Sequence, residues 1–403
     1  MSSCPAFDPL SSEVLEDPFT AYAETRGACP IPHVADHDPG FFVALRYADV
    51  VRIVTDQSEW TAKYGIGPRF QRGVGFNTDG PEHMKFRRAV MAGLGVKQVK
   101  ALEPVIRELA DDLLARMEAH GPGDFHELFA GPLPVFVAAR LLGIEGDVGR
   151  FKDLSDALMA EGMNSTDPAE FLRILEELDA YWEGQLASRK EALAKVENPG
   201  PEHLGDVVPD DLMSMLLVIR GEDGRQLTDY EVSNSLMNLL LAGNETTISL
   251  LTNVVWRLLE KPERWAAVVA DRDLVDVAIE ESLRFDSPVL GMFRTSVQQT
   301  ELSGTEIPEK TRIMVTYGAA NRDPEMFSEP DEFRLDRPRD ELRRHIAFGK
   351  GAHACPGAAL SRLEARIALN ALLDKFEGLR LDGESQRIEP FNFWGRKSLP
   401  VTW

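Results

Sequence analysis

Phe348-Gly-Lys-Gly-Ala-His-Ala-Cys-Pro-Gly357 decides how this chain is read. Two glycines ahead of the cysteine and one behind it let the backbone wrap tightly and approach a flat ligand closely. Backbone N–H groups around Cys355, and the start of the helix expected after it, favour the thiolate over the thiol. A free cysteine is most often a small buried hydrophobe. The pattern F-G-x-G-x-H-x-C-x-G nevertheless fixes a residue type at most of its positions, and chance does not account for it.

The rest of the sequence sets the frame. At 403 residues the chain can bury a large core, and length alone allows two or three domains. A net charge of −22 argues against nucleic acid or an anionic membrane surface as main partner, since either would repel it. The three cysteines, Cys4, Cys29 and Cys355, are widely spaced. They suggest neither a disulfide framework nor a Cys-rich zinc site, and fit a reducing, cytoplasmic setting. The first 18 residues lack a basic start followed by an apolar run, so neither a signal peptide nor a membrane anchor is expected. Apolar residues at helical spacing predict helices over 102–120, 169–194, 230–260, 267–285 and 358–376. Short strands are expected at 41–45, 300–302 and 312–316. Residues 198–210 read as a surface loop, and the irregular stretch 320–350 is long enough to suggest function.

The helix over 230–260 carries its own end signals. Thr228 with Glu231 makes a capping box, and Lys261-Pro262 stops the run. Its length is about 45–50 Å at 1.5 Å per residue. Leu239-Leu-Leu-Ala242 is apolar on all sides, so the helix crosses the interior. Gly243-Asn-Glu-Thr-Thr247 is out of character there. A mid-helix glycine costs about 1 kcal/mol, and an unpaired buried carboxylate several more. The plain explanation is a packing glycine beside a solvent-facing glutamate; the alternative is chemistry.

Taken together, the cysteine stretch, Ala242-Gly-Asn-Glu-Thr-Thr247, Glu281-Ser-Leu-Arg284 and Asp79-Gly-Pro-Glu-His-Met-Lys-Phe-Arg-Arg88 resemble the cytochrome P450 family, in the order found in soluble bacterial members. The resemblance covers nearly the whole chain. It implies a mainly α fold with a small β region and a single domain over 1–403. Haem b would lie between the long central helix and the cysteine loop. Cys355 would be the iron ligand, pushing electron density onto the metal to assist O–O cleavage. Phe348, Gly349, Gly357, Ala242 and Gly243 would frame the haem, and His83, Arg87, Arg294 and His353 would meet its propionates. Thr246 and Glu245 would be the alcohol and acid that move protons to oxygen. Glu281, Arg284 and Arg337 would brace the cysteine loop, a structural role, whereas His345 is read as loop packing.

The family pattern puts Tyr64, Phe70, Leu239, Gly243, Val289, Leu290, Met292, Phe293, Phe393 and Trp394 around the substrate, from a loop over 61–76, the central helix, a strand and a late turn. Large apolar side chains are more often plain core, but this set would suit a small or medium hydrophobic molecule. No flavin or iron–sulfur pattern is present, so the resemblance implies a ferredoxin and its reductase, fed by NAD(P)H. Lys85, Arg88, Lys350, Arg362 and Arg366 would form a basic dock for an acidic ferredoxin. Pro356 cannot donate an N–H to the sulfur; it also suits the first position of a helix. The implied activity is hydroxylation, epoxidation or demethylation. A peroxide-driven peroxygenase, or a non-catalytic haem-binding or sensor protein, is the alternative, disfavoured by the Glu245–Thr246 pair.

Overall fold

The computed structural model describes residues 4, 7–71, 75–146, 148–164, 168–221, 224–389 and 391–403, with the side chains of 159–171 left aside. The central helix runs Asp229–Glu260. Its capping box is present: the Thr228 hydroxyl accepts from the Glu231 N–H at 3.3 Å, and the Glu231 carboxylate accepts from the Thr228 N–H at 2.7 Å. Pro262 opens the next helix, Pro262–Ala270. Every residue from Thr247 to Val255 is buried, because helices Val96–His120, Pro132–Leu142 and Ala358–Lys375 pack around this half and share one apolar core with it.

The helix expected over 267–285 is two helices. Pro262–Ala270 and Leu274–Phe285 are separated at Asp271-Arg272-Asp273, where the Asp271 carboxylate accepts from the Asp273 N–H at 3.0 Å. Such an Asx turn competes with the helical ladder. The predicted strands fall within a mixed five-stranded sheet, ordered His33–Val34, Phe41–Ala44, Arg312–Val315, Met292–Ser296, Trp60–Thr61, and in a separate hairpin of Thr300–Leu302 with Thr305–Ile307. The architecture is mainly α with a small β region. One expectation fails: Cys4 and Cys29 are joined by a disulfide, with Cα atoms 5.4 Å apart. The helix Pro18–Ala28 carries Cys29 at its C-cap back beside the N-terminal segment, a proximity that sequence spacing does not reveal. Among the described residues, no helix is long and apolar enough to cross a membrane.

The stretch 320–350 is tied down by one buried carboxylate. Glu281 accepts from Arg284 at 2.7 and 2.8 Å, from Arg337 at 2.9 Å and from the Arg334 N–H at 2.9 Å. All three side chains, Glu281, Arg284 and Arg337, have no solvent exposure. Arg284 also donates to the carbonyls of Asn321, Pro330 and Glu332, and Arg337 to those of Ser328, Glu329 and Glu332. Asn321 then accepts from the Ile346 N–H at 2.8 Å, just ahead of the cysteine loop. Glu281→Gln leaves the buried Arg284 without a carboxylate and Arg337 with Glu341 alone, and should cost about 3–5 kcal/mol. Denaturant unfolding of the purified variant checks this; a loss below 1 kcal/mol (about the worth of a surface pair) would remove the bracing role.

Candidate active site

The cysteine loop closes on itself through the Cys355 N–H, which donates to the Phe348 carbonyl at 2.8 Å. Gly349 and Gly351 sit at φ +66° and +73°, and a Cβ on Gly351 would come 2.8 Å from the Val54 carbonyl oxygen. Only glycine fits there. Gly357 caps the helix Ala358–Lys375, so Pro356 precedes the cap and does not start the helix, one of the two roles the sequence allowed it. Cys355 lies deep in the protein, and its accessible surface faces an internal cavity. Burial pushes its thiol up, outweighing the Gly357 N–H, Arg87, Arg362 and the Ala358 N–H, which pull the other way. The protein alone therefore does not favour the thiolate as the sequence suggested; a coordinated metal cation deprotonates such a thiol outright.

The cavity holds about 270 Å³ and is walled by Cys355, Gly349 and Phe348 on one side and by Ala242, Gly243 and Thr246 on the other. A Cβ on Gly243 would meet nothing within 4 Å, so this glycine clears space and is not there for packing. Glu245 is not solvent-facing either. It accepts from the Ser249 hydroxyl at 3.4 Å, and burial, with the neighbouring Asp156, holds its carboxyl above the usual range. The Thr246 hydroxyl faces the cavity and donates to the Ala242 carbonyl at 2.8 Å.

Four basic groups gather at one edge. His353 bonds Asp79 at 2.9 Å and lies 4.1 Å, ring to ring, from His83. Arg87 donates to the Ala354 carbonyl at 2.8 Å, and Arg294 to its neighbour's carbonyl at 2.8 Å. Burial, then His353 and Arg87, lower the His83 pKa to about 4. Asp79 was given no role in the sequence, although it opens the D-G-P-E-H run. It accepts from His353, the Thr61 hydroxyl and the Ala62 N–H, and its pKa falls to about 2 although burial opposes this.

Four of the expected pocket residues line this cavity: Leu239, Gly243, Val289 and Met292. Strand alternation explains one miss. Met292 and Arg294 face the cavity, while Phe293 between them points the other way onto Phe41, 5.0 Å off. Leu290 and Trp394 pack with Phe19 in a separate cluster, and the Trp394 indole donates to Asp286 at 3.0 Å. Phe393 stands behind the wall, bridged to Val289. Tyr64 and Phe70 pack edge to face at 5.8 Å beside a second cavity with Asp79 and Glu82. Positions 72–74 of the loop assigned to the pocket lie outside the described residues. Walls that the sequence did not single out come from Leu94, Pro134, Ala138 and Glu364.

The basic dock also changes. Lys85 is buried and 3.9 Å from Glu231; Arg362 forks onto Glu280 at 2.6 and 2.9 Å, and Arg366 pairs with Asp276 at 2.6 Å. Salt bridges to acids on the Leu274–Phe285 helix leave little of that positive face. His345 is loop packing as read, bonded to Glu280 at 2.9 Å.

A sulfur opening onto a cleared helix face, with two guanidiniums and two imidazoles along one edge, fits a flat metal macrocycle with acidic substituents. The comparisons decide which one. The family model for cytochrome P450 matches residues 42–398. The chain belongs to the cytochrome P450 family. It is 32% identical to the cytochrome P450 monooxygenase PikC of Streptomyces venezuelae over 98% of this chain and 93% of that one. It is 34% identical to erythromycin C-12 hydroxylase of Saccharopolyspora erythraea over 90% and 89%. CYP109E1 of Bacillus megaterium, solved with testosterone, superposes with a TM-score of 0.82 at 30% identity, over 96% of this chain and 99% of that one. This P450 is a monooxygenase with haem b as its cofactor.

The His83 shift has a testable sign. Its folded pKa of about 4 lies below the ordinary 6.5, so it folds as the neutral ring. Its contribution to stability is complete above pH 6.5 and is lost as pH falls towards 4. Unfolding of the haem-free protein at stepped pH should show that slope over this window, and His83→Gln should flatten it. An unchanged slope in the variant would contradict a buried neutral imidazole.

Proposed function

We propose that this P450 oxidises an apolar small-to-medium organic substrate, with Cys355 as the iron ligand and electrons from a ferredoxin and its reductase. The observation that carries the reading is that the Cys355 sulfur and the Thr246 hydroxyl line one cavity whose other walls are mostly apolar. Bound haem supplies the oxygen-activating chemistry. His83, Arg87, Arg294 and His353 would hold its propionates as cationic or donor partners. Thr246 turns its hydroxyl oxygen to the cavity while its proton rests on the Ala242 carbonyl, so it can accept a hydrogen bond there and pass a proton on when it rotates, and Glu245, adjacent in sequence and held by Ser249, is an acid of raised pKa suited to recharge that line. Leu239, Val289 and Met292 exclude water from the same space. The erythromycin named for one relative and the testosterone bound to another agree with a ring-containing, largely apolar substrate.

The ferredoxin reading rests on the absence of flavin and iron–sulfur motifs in the sequence, and on Lys350, exposed in the cysteine loop. With Lys85 buried and Arg362 and Arg366 already paired, docking by charge is weaker than the sequence suggested. Reduction by a ferredoxin should therefore slow only a few-fold between 50 and 300 mM salt; such weak surface pairs are screened over a Debye length of about 8–10 Å.

The deciding experiment is a reduced-plus-carbon-monoxide spectrum, followed by a ligand-library screen for the absorbance shift that marks loss of an iron-bound water. Cys355→Ser should abolish the thiolate spectrum and turnover; a variant equal to the parent in both would end the assignment. Thr246→Ala should retain haem and ligand binding, while product per NADH falls about tenfold or more and peroxide rises in its place. Unaltered coupling would take the proton role from Thr246.

A further inference from the structure

We propose that Asn244 is a positioning residue, whose hydrogen bond to Ser155 locks the rotation of the central helix and so aims Thr246 into the cavity. This rests on the monooxygenase reading above and goes beyond it. Of Gly243-Asn-Glu-Thr-Thr247, the other four line the cavity or serve its acid–alcohol pair; Asn244 does neither. Asn244 is 1% exposed and donates to the Ser155 hydroxyl at 2.6 Å. Ser155, also buried, belongs to the helix Val148–Asn164. The pair is set in an apolar seam. Val232, Leu236 and Leu240 precede Asn244 at intervals of four on the central helix, and Phe151, Leu154 and Leu158 flank Ser155 on the other. That pattern calls for an apolar residue at 244. Asparagine is costly there, because its Oδ1 is buried with no hydrogen-bond partner among the described residues. What a polar pair does give an apolar seam is a single register, as one buried asparagine does in a coiled coil.

The central helix needs such a key at this point. A Cβ on Gly243 would meet nothing within 4 Å, and Ala242 beside it faces the same cavity. On that side no packing resists a twist of the helix. Thr246 bonds to the Ala242 carbonyl and Glu245 to Ser249, both within the helix itself. Thr247 reaches Ser361 on the helix Ala358–Lys375 at 3.4 Å, which is long for two hydroxyls. The bond to Ser155 is the tighter interhelical tie. At 3.6 residues per turn, Thr246 stands about 200° around the helix from Asn244. Fixing Asn244 to the helix Val148–Asn164 therefore fixes Thr246 on the opposite face, which is the cavity face. Asp156 follows Ser155 and is close enough to act on the Glu245 carboxyl, so the same helix also abuts the acid. One hydrogen bond thus sets the direction of the alcohol and the surroundings of the acid together.

Holoenzyme variants Asn244→Leu and Ser155→Ala test the proposal, alone and combined. Leucine suits the apolar seam, and Ser155→Ala removes the bond from the far side should Asn244→Leu fold poorly. The unfolding midpoint should hold or rise in the combination, since apolar replacement of both buried partners is often neutral or stabilising. Ligand dissociation constants from the spectral screen should stay at the parent value, because neither residue lines the cavity. Product per NADH should fall about three- to tenfold in either variant and no further in the combination, as when two residues acting as one slightly misplace a reacting group. The infrared C–O stretch of the reduced, carbon-monoxide-bound protein should broaden or split in Asn244→Leu. In a Thr246→Ala background the same substitution should leave that band unaltered, a dependence that a merely structural role would not produce. Parent-like coupling in both single variants, a band change that persists without Thr246, or a midpoint that falls in step with coupling in all three variants overturns the proposal alone. A parent that consumes no oxygen with any electron donor overturns the monooxygenase reading, and the proposal with it.

Discussion

One carboxylate in a dry interior governs how the cysteine is presented. Glu281 has no exposure and yet stays compensated, because two guanidiniums and a backbone N–H converge on its two oxygens. Each guanidinium also donates to three carbonyls between 321 and 332, and Arg337 to the Glu341 carboxylate as well. A chain segment with almost no regular structure thereby has its backbone acceptors satisfied by side chains instead of by a ladder. That is how an irregular stretch of this length can stay packed, and how the loop that follows it keeps a fixed origin. Such a cluster is weak evidence for net stability, since apolar replacements of a buried pair are often as stable. Its contribution is geometric: it sets where residue 346 leaves the core.

From that origin, backbone chemistry takes over. Gly351 passes beneath the Val54 carbonyl at a distance no side chain tolerates, and the Cys355 N–H closes the loop on Phe348. The sulfur is left facing a helix stripped to Ala242 and Gly243. The helix accepts the cost of a mid-span glycine, about 1 kcal/mol, because residues 247–255 beyond it are wholly buried against its neighbours. Stability is supplied by one half of the helix and space by the other.

Periodicity and local motifs were legible in the sequence; packing was not. The cysteine loop and the central helix with its cap are specified by residue type at short spacing, whereas Arg337 as third partner of Glu281 was legible only through the family resemblance. The substrate pocket shows the limit. Met292, Phe293 and Arg294 are consecutive, and which of them faces the cavity depends on strand register, which composition does not encode. Trp394 is apolar enough for a pocket, but its indole N–H finds Asp286. The pairing of Arg362 and Arg366 was not legible because their acids, Glu280 and Asp276, lie more than seventy positions away in sequence. The Cys4–Cys29 bond is a tertiary contact that cysteine counting cannot supply. Glu364 did leave a signal: a carboxylate one turn after Leu360, on the apolar face of its helix.

Asp286 shows why the wall behind Val289 holds its shape. Although burial pushes its carboxyl up, Arg257 and Arg322 keep it below the usual range, and Trp394 adds an indole N–H. The guanidiniums around it are sandwiched by rings: Arg322 between Phe19 and Phe285, Arg257 between Phe285 and Trp256, Arg396 between Trp256 and Trp394. Phe19 meets Trp394 at 5.1 Å and closes the circuit. Cation–π contacts of this kind are worth about 0.5–2 kcal/mol each, and here every ring is shared by two neighbours. Moving Trp394 would unstack Arg396, free an acceptor on Asp286 and release Phe19 at once. Because Phe393 bridges to Val289 immediately before Trp394, the cavity wall inherits that cooperativity. A substrate must fit this side of the cavity as it stands.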